Sequence, residues 1–586
     1  MPMTIRPRRW RWALFAAAYV AATAASPQAR APEHATGWTA KRAVEGRSFM
    51  VAAANPLAVD AGYRMLRRGG SAIDAAIAAQ LVLGLVEPQS SGLGGGAFLL
   101  AHEARTHRLV AYDGRETAPA AARPDRFLDA GGKPLAFDRA VVGGRSVGVP
   151  GTVRLLEGVH RRHGKLPWRA LFAPAIALAE NGFAVSPRLH ALIAKEAQFS
   201  PAARAYFLDA DGKPRAVGAI LRNPAYAATL RRIAAEGADA FYTGAIAQDI
   251  VDTVHAHPTH PGDLTLADLA GYRVKLRTPV CDTYRRYRVC GMPLPSSGGL
   301  TVLQILKLLE PYSVADMGPA SFWSVHFMSE AGRLAYADRD VYEADPDFYT
   351  PPAGLLDPAY LRARSRQITT TGSLGRATPG DPPQTEATPR KVAWGENFAA
   401  EFPSTSHIVA VDRHGNAVSM TTTIEDAFGS RLMTSSGFLL NNELTDFSFV
   451  PLRDGNPVAN RVEPGKRPRS SMAPTIVYDR AGRVFMVAGS PGGSAIINYV
   501  VKTLLGVIDW KLDPQAAIDL PNFGSRNGPT ELEADTDVVR LEPKLRALGH
   551  DVRIQEHTSG VQAIVRTRSG WIGGADPRRE GIVMGE

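Results

Sequence analysis

Thr405 and Thr423 are the two residues of this sequence whose pairing best fits nucleophilic chemistry. They lie in PSTSHIVAVDRHGNAVSMTTTI, residues 403–424, which reads as two strands around Arg-His-Gly. A three-residue loop ending in a left-handed glycine closes a common type of hairpin. Closing it pairs Asp412 with Asn416, and counting back places Thr405 opposite Thr423. Threonine pairs are also ordinary cross-strand contacts, so a purely structural role is the alternative.

A cut before Thr405 would supply the base that an interior threonine lacks. A hydroxyl is a weak nucleophile without activation. Cleavage between Ser404 and Thr405 would free an α-amine with a pKa of about 7.7–8.0, which suits a general base at neutral pH. The preceding residues 369–404 are rich in Thr, Pro and Gly and nearly bare of large apolar residues, which predicts an exposed linker. The sequence therefore predicts an N-terminal nucleophile made where this linker meets a buried strand.

The elements that would position this hairpin divide the chain into a helix-rich and a strand-rich half. In the first half, helices are predicted at about 71–86, through much of 152–269, and at 321–339, with a glycine-rich turn and a strand after the first. After the linker, strands are predicted at 406–411, 417–424, 436–440, 474–479 and 484–488, followed by a buried helix at 494–508. This order favours sheet layers covered by helices.

The first 29 residues have the features of an export signal. MPMTIRPRRWRW is positively charged, and ALFAAAYVAATAA is apolar but too short to span a bilayer as a stable helix. Small residues allow cleavage near Ala24 or Ala29. An N-terminal anchor that is never removed is the alternative, and Arg8-Arg9 is a weak sign of twin-arginine export. We expect an exported protein, periplasmic or secreted, with no stable membrane span after removal of the signal.

The formal net charge of +10 does not by itself predict nucleic-acid binding. Four arginines lie in the first dozen residues, and the remaining ones are scattered among acids. No basic stripe and no alternation of basic and aromatic residues appears along the chain. We therefore expect no nucleic-acid partner.

The cysteines and one histidine-rich stretch have simple interpretations. In PVCDTYRRYRVCG, a two-residue turn would place Cys281 opposite Cys290 at a non-hydrogen-bonded pair, where side chains come closest. A disulfide and two free thiols both remain open. HAHPTH, residues 255–260, is followed by Pro-Gly and has no organised fourth ligand, so we predict an exposed turn and no metal site.

Nine blocks of the sequence resemble, in order, those of the γ-glutamyltransferase (glutathione hydrolase) family of N-terminal-nucleophile hydrolases. They are AIDAAIAAQLVLGLVEPQSSGLGGGAFLL, DGRETAP, LPSSGGL, GRLAYADRDVYEADPDFY, TSHIVAVDRHGNAVSMTTTIEDAFGS, LLNNELTDFS, KRPRSSMAPTIV, GSPGGS and GADPRREG. The resemblance covers about residues 44–585. It implies an α+β fold, a four-layer αββα sandwich. It also implies a precursor that cuts itself, here into a large subunit, 30–404, and a small catalytic subunit, 405–586.

The resemblance assigns the catalytic roles. Thr405 would be the processing residue and nucleophile, and Thr423 would hydrogen-bond its hydroxyl. Gly492 and Gly493 would form an oxyanion hole with their backbone N–H groups, since a side chain there would block close approach. No metal or organic cofactor is implied.

The resemblance also implies a site for an amino-acid head group. A cation and hydroxyls would bind the α-carboxylate, and acids would bind the α-ammonium. The first set is Arg115, Ser470 and Ser471; the second is Glu425, Glu443 and Asp446. Taken singly, each of these residues also fits an ordinary surface or turn position.

The implied reaction is cleavage of γ-glutamyl amides such as glutathione, with water or an amino acid or peptide as acceptor. Two departures stand out. Glu425 replaces an Asn that many relatives carry, and the loop between Phe447 and Lys466 is shorter than in relatives with a tyrosine-bearing lid, which predicts a more open site. One alternative is a cephalosporin (glutaryl) acylase-type amidase on the same fold. Another is a silent exported protein that binds γ-glutamyl peptides.

Overall fold

Two stacked seven-stranded sheets form the centre of the molecule. The computed structural model describes residues 37–384, 394–397 and 404–586, so the predicted signal at 1–29 lies outside it. The first sheet has the order Ile582–Gly585, Met50–Ala53, Thr405–Val411, Ala417–Thr423, Gly96–Glu103, Arg108–Gly114, Lys275–Arg277. The second has the order Val44–Gly46, Trp571–Ala575, Gln562–Arg566, Val484–Gly489, Thr475–Tyr478, Tyr287–Gly291, Val280–Tyr284.

Helices cover the outer face of each sheet. Those before the second sheet's first hairpin are Pro56–Arg67, Ala72–Val86, Phe137–Val141, Thr152–His163, Trp168–Asn181, Pro187–Ile193, Pro201–Phe207, Pro224–Glu236, Asp239–Tyr242, Gly244–His255 and Leu266–Gly271. The later ones are Gly298–Leu309, Val314–Met317, Phe322–Tyr342, Pro358–Ser365, Ile496–Ile508, Pro514–Asp519 and Glu542–Ala547. Small sheets form from Phe523–Ser525, Thr530–Glu533 and Val552–Gln555, from Leu452–Arg453 and Asn456–Pro457, and from Phe183–Ala184 and Ile220–Leu221.

Strand Thr405–Val411 shows how the four layers arise. All seven of its residues are buried, and successive side chains point to opposite faces. Ile408 and Ala410 join the core beneath the early helices, whereas Val409 and Val411 join the core shared with the second sheet and the later helices. The expected α+β, four-layer αββα sandwich is therefore confirmed.

The hairpin register predicted from the sequence is also confirmed. Thr405 pairs with Thr423 and Val411 with Ala417. The Asp412 N–H donates to the Asn416 carbonyl at 3.0 Å, and Gly415 has φ +83°. The hairpin lies between strands Met50–Ala53 and Gly96–Glu103, both from the part of the chain before residue 404.

Two predicted elements differ in the structure. The predicted strand 436–440 is mostly a turn, closed by the Phe438 carbonyl and the Thr434 N–H, with Gly437 at φ +88°. Local turn chemistry outweighs the strand pattern there, and isolated bridges are all that remain.

Of the predicted exposed linker 369–404, the described residues 369–384 are mostly exposed or half-buried, as predicted, whereas residues 394–397 are more buried than predicted. Trp394 packs edge-on against Tyr349, with ring centroids 4.7 Å apart, and Asn397 is only 2% exposed. An indole ring can bury a large apolar area. A prediction from the average composition of the whole linker overlooks this single tryptophan. Residues 385–393 and 398–403 lie outside the described chain.

The structure joins Cys281 and Cys290 in a disulfide with an S–S distance of 2.10 Å. The two residues are direct cross-strand partners, and the hairpin turns at Arg285 and Arg286. Within 37–384, 394–397 and 404–586, no helix combines the length and apolar composition needed to cross a bilayer.

Buried His407 makes the stability of the fold depend on pH. Its Nδ1 lies 2.9 Å from Thr421 Oγ1, and burial lowers its pKa to about 3. Between that value and the usual pKa of about 6.5, the unfolded chain binds a proton that the folded chain does not. Folding free energy is therefore lost as pH falls, by up to about 1.4 kcal/mol per pH unit. Comparing thermal midpoints from pH 7 to 4, we expect a shallower decline for His407→Gln than for wild type. Parallel profiles would contradict this.

Candidate active site

The Thr423 hydroxyl contacts both sides of the Ser404–Thr405 peptide bond. Thr405 Oγ1 donates to Thr423 Oγ1 at 3.2 Å, and Thr423 Oγ1 donates to the Ser404 carbonyl oxygen at 2.8 Å. The Glu425 N–H donates to the same Thr423 oxygen at 2.9 Å. Thr423 can thus accept from the attacking hydroxyl while it polarises the carbonyl that this hydroxyl would attack.

Neighbouring groups hold the two residues of this bond in place. The Ser404 hydroxyl donates to the Gln89 carbonyl at 2.5 Å, and the Arg579 guanidinium donates to the Thr405 carbonyl at 3.0 Å. Thr405 is 4% exposed and Ser404 1%. The hydroxyl and the bond beside it are therefore shielded from bulk water. Arg579 belongs to the GADPRREG block, but sequence reasoning gave it no role.

Gly492 and Gly493 lie just before the start of helix Ile496–Ile508. Their φ angles of +135° and +56° favour glycine, and the short 3₁₀ turn Gly493–Ala495 leads into the helix. A Cβ added at Gly560 would lie 2.5 Å from Pro491 and 2.7 Å from the Arg579 side chain. Gly560 therefore lies close to both Pro491, which precedes the glycine pair, and Arg579, which donates to the Thr405 carbonyl. N–H groups at a helix start favour developing negative charge.

Gly492→Ala is expected to lower kcat by about 10²–10³-fold, the cost of losing one oxyanion donor, because the strained backbone would turn the N–H that alanine keeps away from the predicted oxyanion position. The backbone angle strains any side chain, and the new Cβ would lie 2.6 Å from the Tyr499 ring. Gly482→Ala is the matched control, since Gly482 also has positive φ but nothing within 4 Å of an added Cβ. Steady-state kinetics on both variants check this, and equal kcat values would contradict it.

Arg115 lies in a buried cluster with the acids predicted to bind an ammonium group. Its guanidinium forms ion pairs with Glu443 and Asp446, and it also donates to the Pro468 and Arg469 carbonyls at 3.1 and 2.8 Å. Arg115 is 1% exposed. The sequence interpretation placed the cation and the acids on different groups of a ligand. The structure brings them into direct contact, because a buried charge is stable only when paired.

A third acid, Glu116, completes this cluster and was missed by sequence reasoning. Burial raises its pKa to about 8, and burial also raises the pKa of Glu443 well above its usual range. Glu116 packs so closely that a Cβ at Gly96 would lie 2.2 Å from its Oε2. Burial beside Arg115 therefore favours the protonated forms of Glu116 and Glu443. The available signal was its position beside Arg115 in DGRETAP.

Ser470 and Ser471 are held by a separate polar network. The Ser471 hydroxyl accepts from Arg339 Nη2 at 2.6 Å, and Arg339 Nε donates to the Ser297 hydroxyl at 2.8 Å. The Ser470 carbonyl accepts from the Ser297 N–H and hydroxyl at 2.7 and 2.6 Å. Ser297 and Arg339 lie in two of the quoted blocks, and the structure shows that they position the serine pair.

The comparisons decide the family. The model described as Gamma-glutamyltranspeptidase matches residues 58–586.

This chain belongs to the gamma-glutamyltranspeptidase family. The glutathione hydrolase proenzyme of Bacillus subtilis (strain 168) is 36% identical over 548 residues, 92% of each chain. That of Escherichia coli (strain K12) is 36% identical over 553 residues, 91% of each. The crystal structure of cephalosporin acylase from Bacillus halodurans matches with a TM-score of 0.81 and 26% identity, covering 94% of this chain and 97% of that one. The protein is thus an enzyme of the gamma-glutamyltransferase type.

Glu425 occupies a strained backbone position. Its φ is +78°, a region that favours Asn or Gly over Glu. Its carboxylate accepts from the Asn442 side chain, and Thr445 Oγ1 lies 3.5 Å away. These contacts hold the carboxylate beside Thr423, the residue that its own N–H binds.

The loop between Phe447 and Lys466 packs onto a part of the chain that precedes residue 404. Phe449 stacks on Phe127, with ring centroids 4.7 Å apart, and also on Phe137 at 6.4 Å. No tyrosine occurs in the loop. The more open pocket inferred from its length stays a prediction.

Two groups of histidines bear on metal binding. In the HAHPTH stretch, the His260 N–H donates to His257 Nδ1, as in a local turn. Within the described chain, the cluster with ligand atoms close enough for a metal is instead His326, Glu330 and His550. Hydrogen bonds occupy it, since His326 Nδ1 lies 2.8 Å from His550 Nε2 and the adjacent Arg333 donates to Glu330. A guanidinium at this position disfavours a cation, so we assign the cluster a packing role.

Proposed function

We propose that this protein cuts its own chain between Ser404 and Thr405 and then hydrolyses or transfers the γ-glutamyl group of amides such as glutathione. The observation that carries the proposal is the contact of Thr423 Oγ1 with both Thr405 Oγ1 and the Ser404 carbonyl. In maturation, Thr405 Oγ attacks the Ser404 carbonyl carbon, the peptide C–N bond breaks, and the nitrogen takes the hydroxyl proton. Water then hydrolyses the ester and leaves a free amine on Thr405.

Turnover uses the same hydroxyl. The Thr405 amine takes the hydroxyl proton as Oγ attacks the γ-amide carbon, and the Gly492 and Gly493 N–H groups stabilise the oxyanion. The amine returns the proton to the leaving nitrogen, which yields a γ-glutamyl ester. Water, an amino acid or a peptide then attacks that ester. Two observations support this placement of the donors: the glycines lie at the start of a helix, and Gly560 lies close to both Pro491 and Arg579.

The buried charge cluster would select the glutamyl head group. We assign the α-carboxylate to Arg115 with the serine pair Ser470 and Ser471, and the α-ammonium to Glu425, Glu443 and Asp446. The ligand would insert between Arg115 and its acidic partners, exchanging one set of ion pairs for another. Such an exchange keeps every buried charge paired, which favours a zwitterion over a simple acyl chain.

The sheet order supports a processed heterodimer of subunits 30–404 and 405–586. Strand Thr405–Val411 pairs with Met50–Ala53, and Ala417–Thr423 pairs with Gly96–Glu103. A cut before Thr405 would leave these ladders intact, so the subunits would stay interleaved. With the signal-like segment 1–29, we propose an exported enzyme, periplasmic or secreted.

Denaturing gel electrophoresis with N-terminal sequencing tests the proposal. We expect two fragments, the smaller beginning at Thr405, and hydrolysis of γ-glutamyl-p-nitroanilide. A single uncut band without turnover would instead indicate a silent binding protein. The acylase alternative is tested with glutaryl-7-aminocephalosporanic acid, which lacks the α-ammonium group. Faster cleavage of that compound than of the γ-glutamyl anilide would overturn the substrate assignment.

A further inference from the structure

The end of the sandwich opposite Thr405 carries an unusual concentration of arginine. Five loops of the two sheets meet there: 104–107, 285–286, 413–415, 480–482 and 567–570. Loop 413–415 lies beyond the far end of the strand that begins at Thr405. The seven residues of that strand span about 20 Å. This end is therefore well separated from the proposed catalytic site.

The clefts between these loops adjoin one another. Four adjoining clefts of about 520, 410, 600 and 490 Å³ lie between them. The first two share His102 and His414, the next two share His107, and the last two share Arg285 and Arg480. We define the basic face by six arginines that line this series: Arg47, Arg286, Arg288, Arg413, Arg480 and Arg566.

The positive charge of the basic face is not neutralised from within. None of its six arginines forms an ion pair with any residue that the structure describes. Most acids that line the clefts are otherwise engaged: the Asp412 carboxylate accepts N–H groups of its own loop, and Asp479, Glu103 and Asp509 pair with Arg483, Arg105 and Arg285. Asp316, at the edge of the fourth cleft, pairs with none of the six arginines. Burial and, secondarily, repulsion from Arg483 lower the pKa of Arg566, and they outweigh the opposing attraction of Asp479. The face thus presents several positive charges without ion-pair partners, and these charges lie within a few Debye lengths of one another.

The chemistry of the face distinguishes among anionic partners. The guanidinium groups of Arg288 and Arg566 lie over the rings of Tyr478 and Trp571, at 5.8 and 4.1 Å from the centroids. In the described chain, the exposed large apolar side chains all lie elsewhere. The face therefore offers neither open rings for base stacking nor an apolar wedge for insertion, but it does offer guanidinium groups that suit phosphate.

We propose that the basic face docks the enzyme peripherally on a membrane surface rich in anionic phospholipid. The loops come from the same end of both sheets, so their charges spread over an area rather than along a groove, which matches a sheet of phosphate head groups. Each arginine close to such a surface strengthens attachment, and the attraction is screened by salt. Docking there would leave the opposite, Thr405 end open to soluble substrate. This inference goes beyond the proposed function.

Vesicle flotation of the purified full protein tests the proposal. We expect binding to phosphatidylglycerol–phosphatidylcholine vesicles at low salt, weaker binding at 0.5 M NaCl, and none to phosphatidylcholine alone. The triple variant R286E/R413E/R480E should bind at least tenfold more weakly. The control K213E/R362E/K544E makes the same charge change at exposed positions outside the basic face and should stay within about twofold of wild type.

Three outcomes would overturn the proposal: no vesicle binding at low salt, equal loss in both triple variants, or binding to a soluble polyanion such as dextran sulfate without binding to vesicles. Turnover of γ-glutamyl-p-nitroanilide in solution should be unchanged in both triples, which checks that they fold. Because flotation measures attachment directly, its failure is distinct from a failure of the proposed reaction.

Discussion

Thr405→Ala is expected to remain a single uncut chain and to lose at least about 10⁴-fold in turnover of γ-glutamyl amides. Removing the hydroxyl removes the nucleophile for both reactions, and an uncut chain never acquires the amine that would activate it. Thr405→Ser is the matched control, because it keeps the hydroxyl beside Thr423 and should give two bands with reduced turnover. Gel electrophoresis and anilide hydrolysis measure the two effects.

Thr423→Val tests the contribution of Thr423 to both maturation and turnover. Valine keeps the shape but removes the hydrogen bonds to Thr405 and the Ser404 carbonyl. We therefore expect slow maturation, with the mature fraction less active than wild type.

Full processing and turnover in Thr405→Ala would refute the proposed mechanism.

Arg115→Gln is expected to lower kcat/KM for γ-glutamyl anilides by about 10²–10³-fold. The change removes a charge-assisted partner of the α-carboxylate and leaves Glu443 and Asp446 without their cation. Breaking such a buried pair typically costs about 3–5 kcal/mol, so the thermal midpoint should fall as well. Steady-state kinetics and thermal unfolding are the measurements.

A comparison of substrates separates recognition by Arg115 from mere loss of stability. Wild type should prefer the γ-glutamyl anilide strongly over the 4-aminobutyryl anilide, which lacks only the α-carboxylate. In Arg115→Gln that preference should collapse, while discrimination against the glutaryl anilide, which lacks the α-ammonium, should persist. If both preferences survive unchanged, Arg115 does not bind the carboxylate.

Local chemistry explains why the hairpin was predictable. Its three-residue loop sets the pairing of Asp412 with Asn416, and the two-residue period of a strand then determines every other pair, including Thr405 with Thr423. The same reasoning placed Cys281 opposite Cys290. The family and the αββα architecture were instead predicted from the resemblance of nine ordered sequence blocks to those of a known family.

The sequence alone thus determined the fold family and the register of the hairpin that carries the proposed nucleophile. Only the tertiary structure decided how charges combine. It joined Arg115 to Glu443 and Asp446, added Glu116, and gathered arginines that look scattered along the chain onto one end of the sandwich. The physical reason is that turn type and periodicity act over a few residues, whereas burial and ion pairing depend on which distant elements stack together.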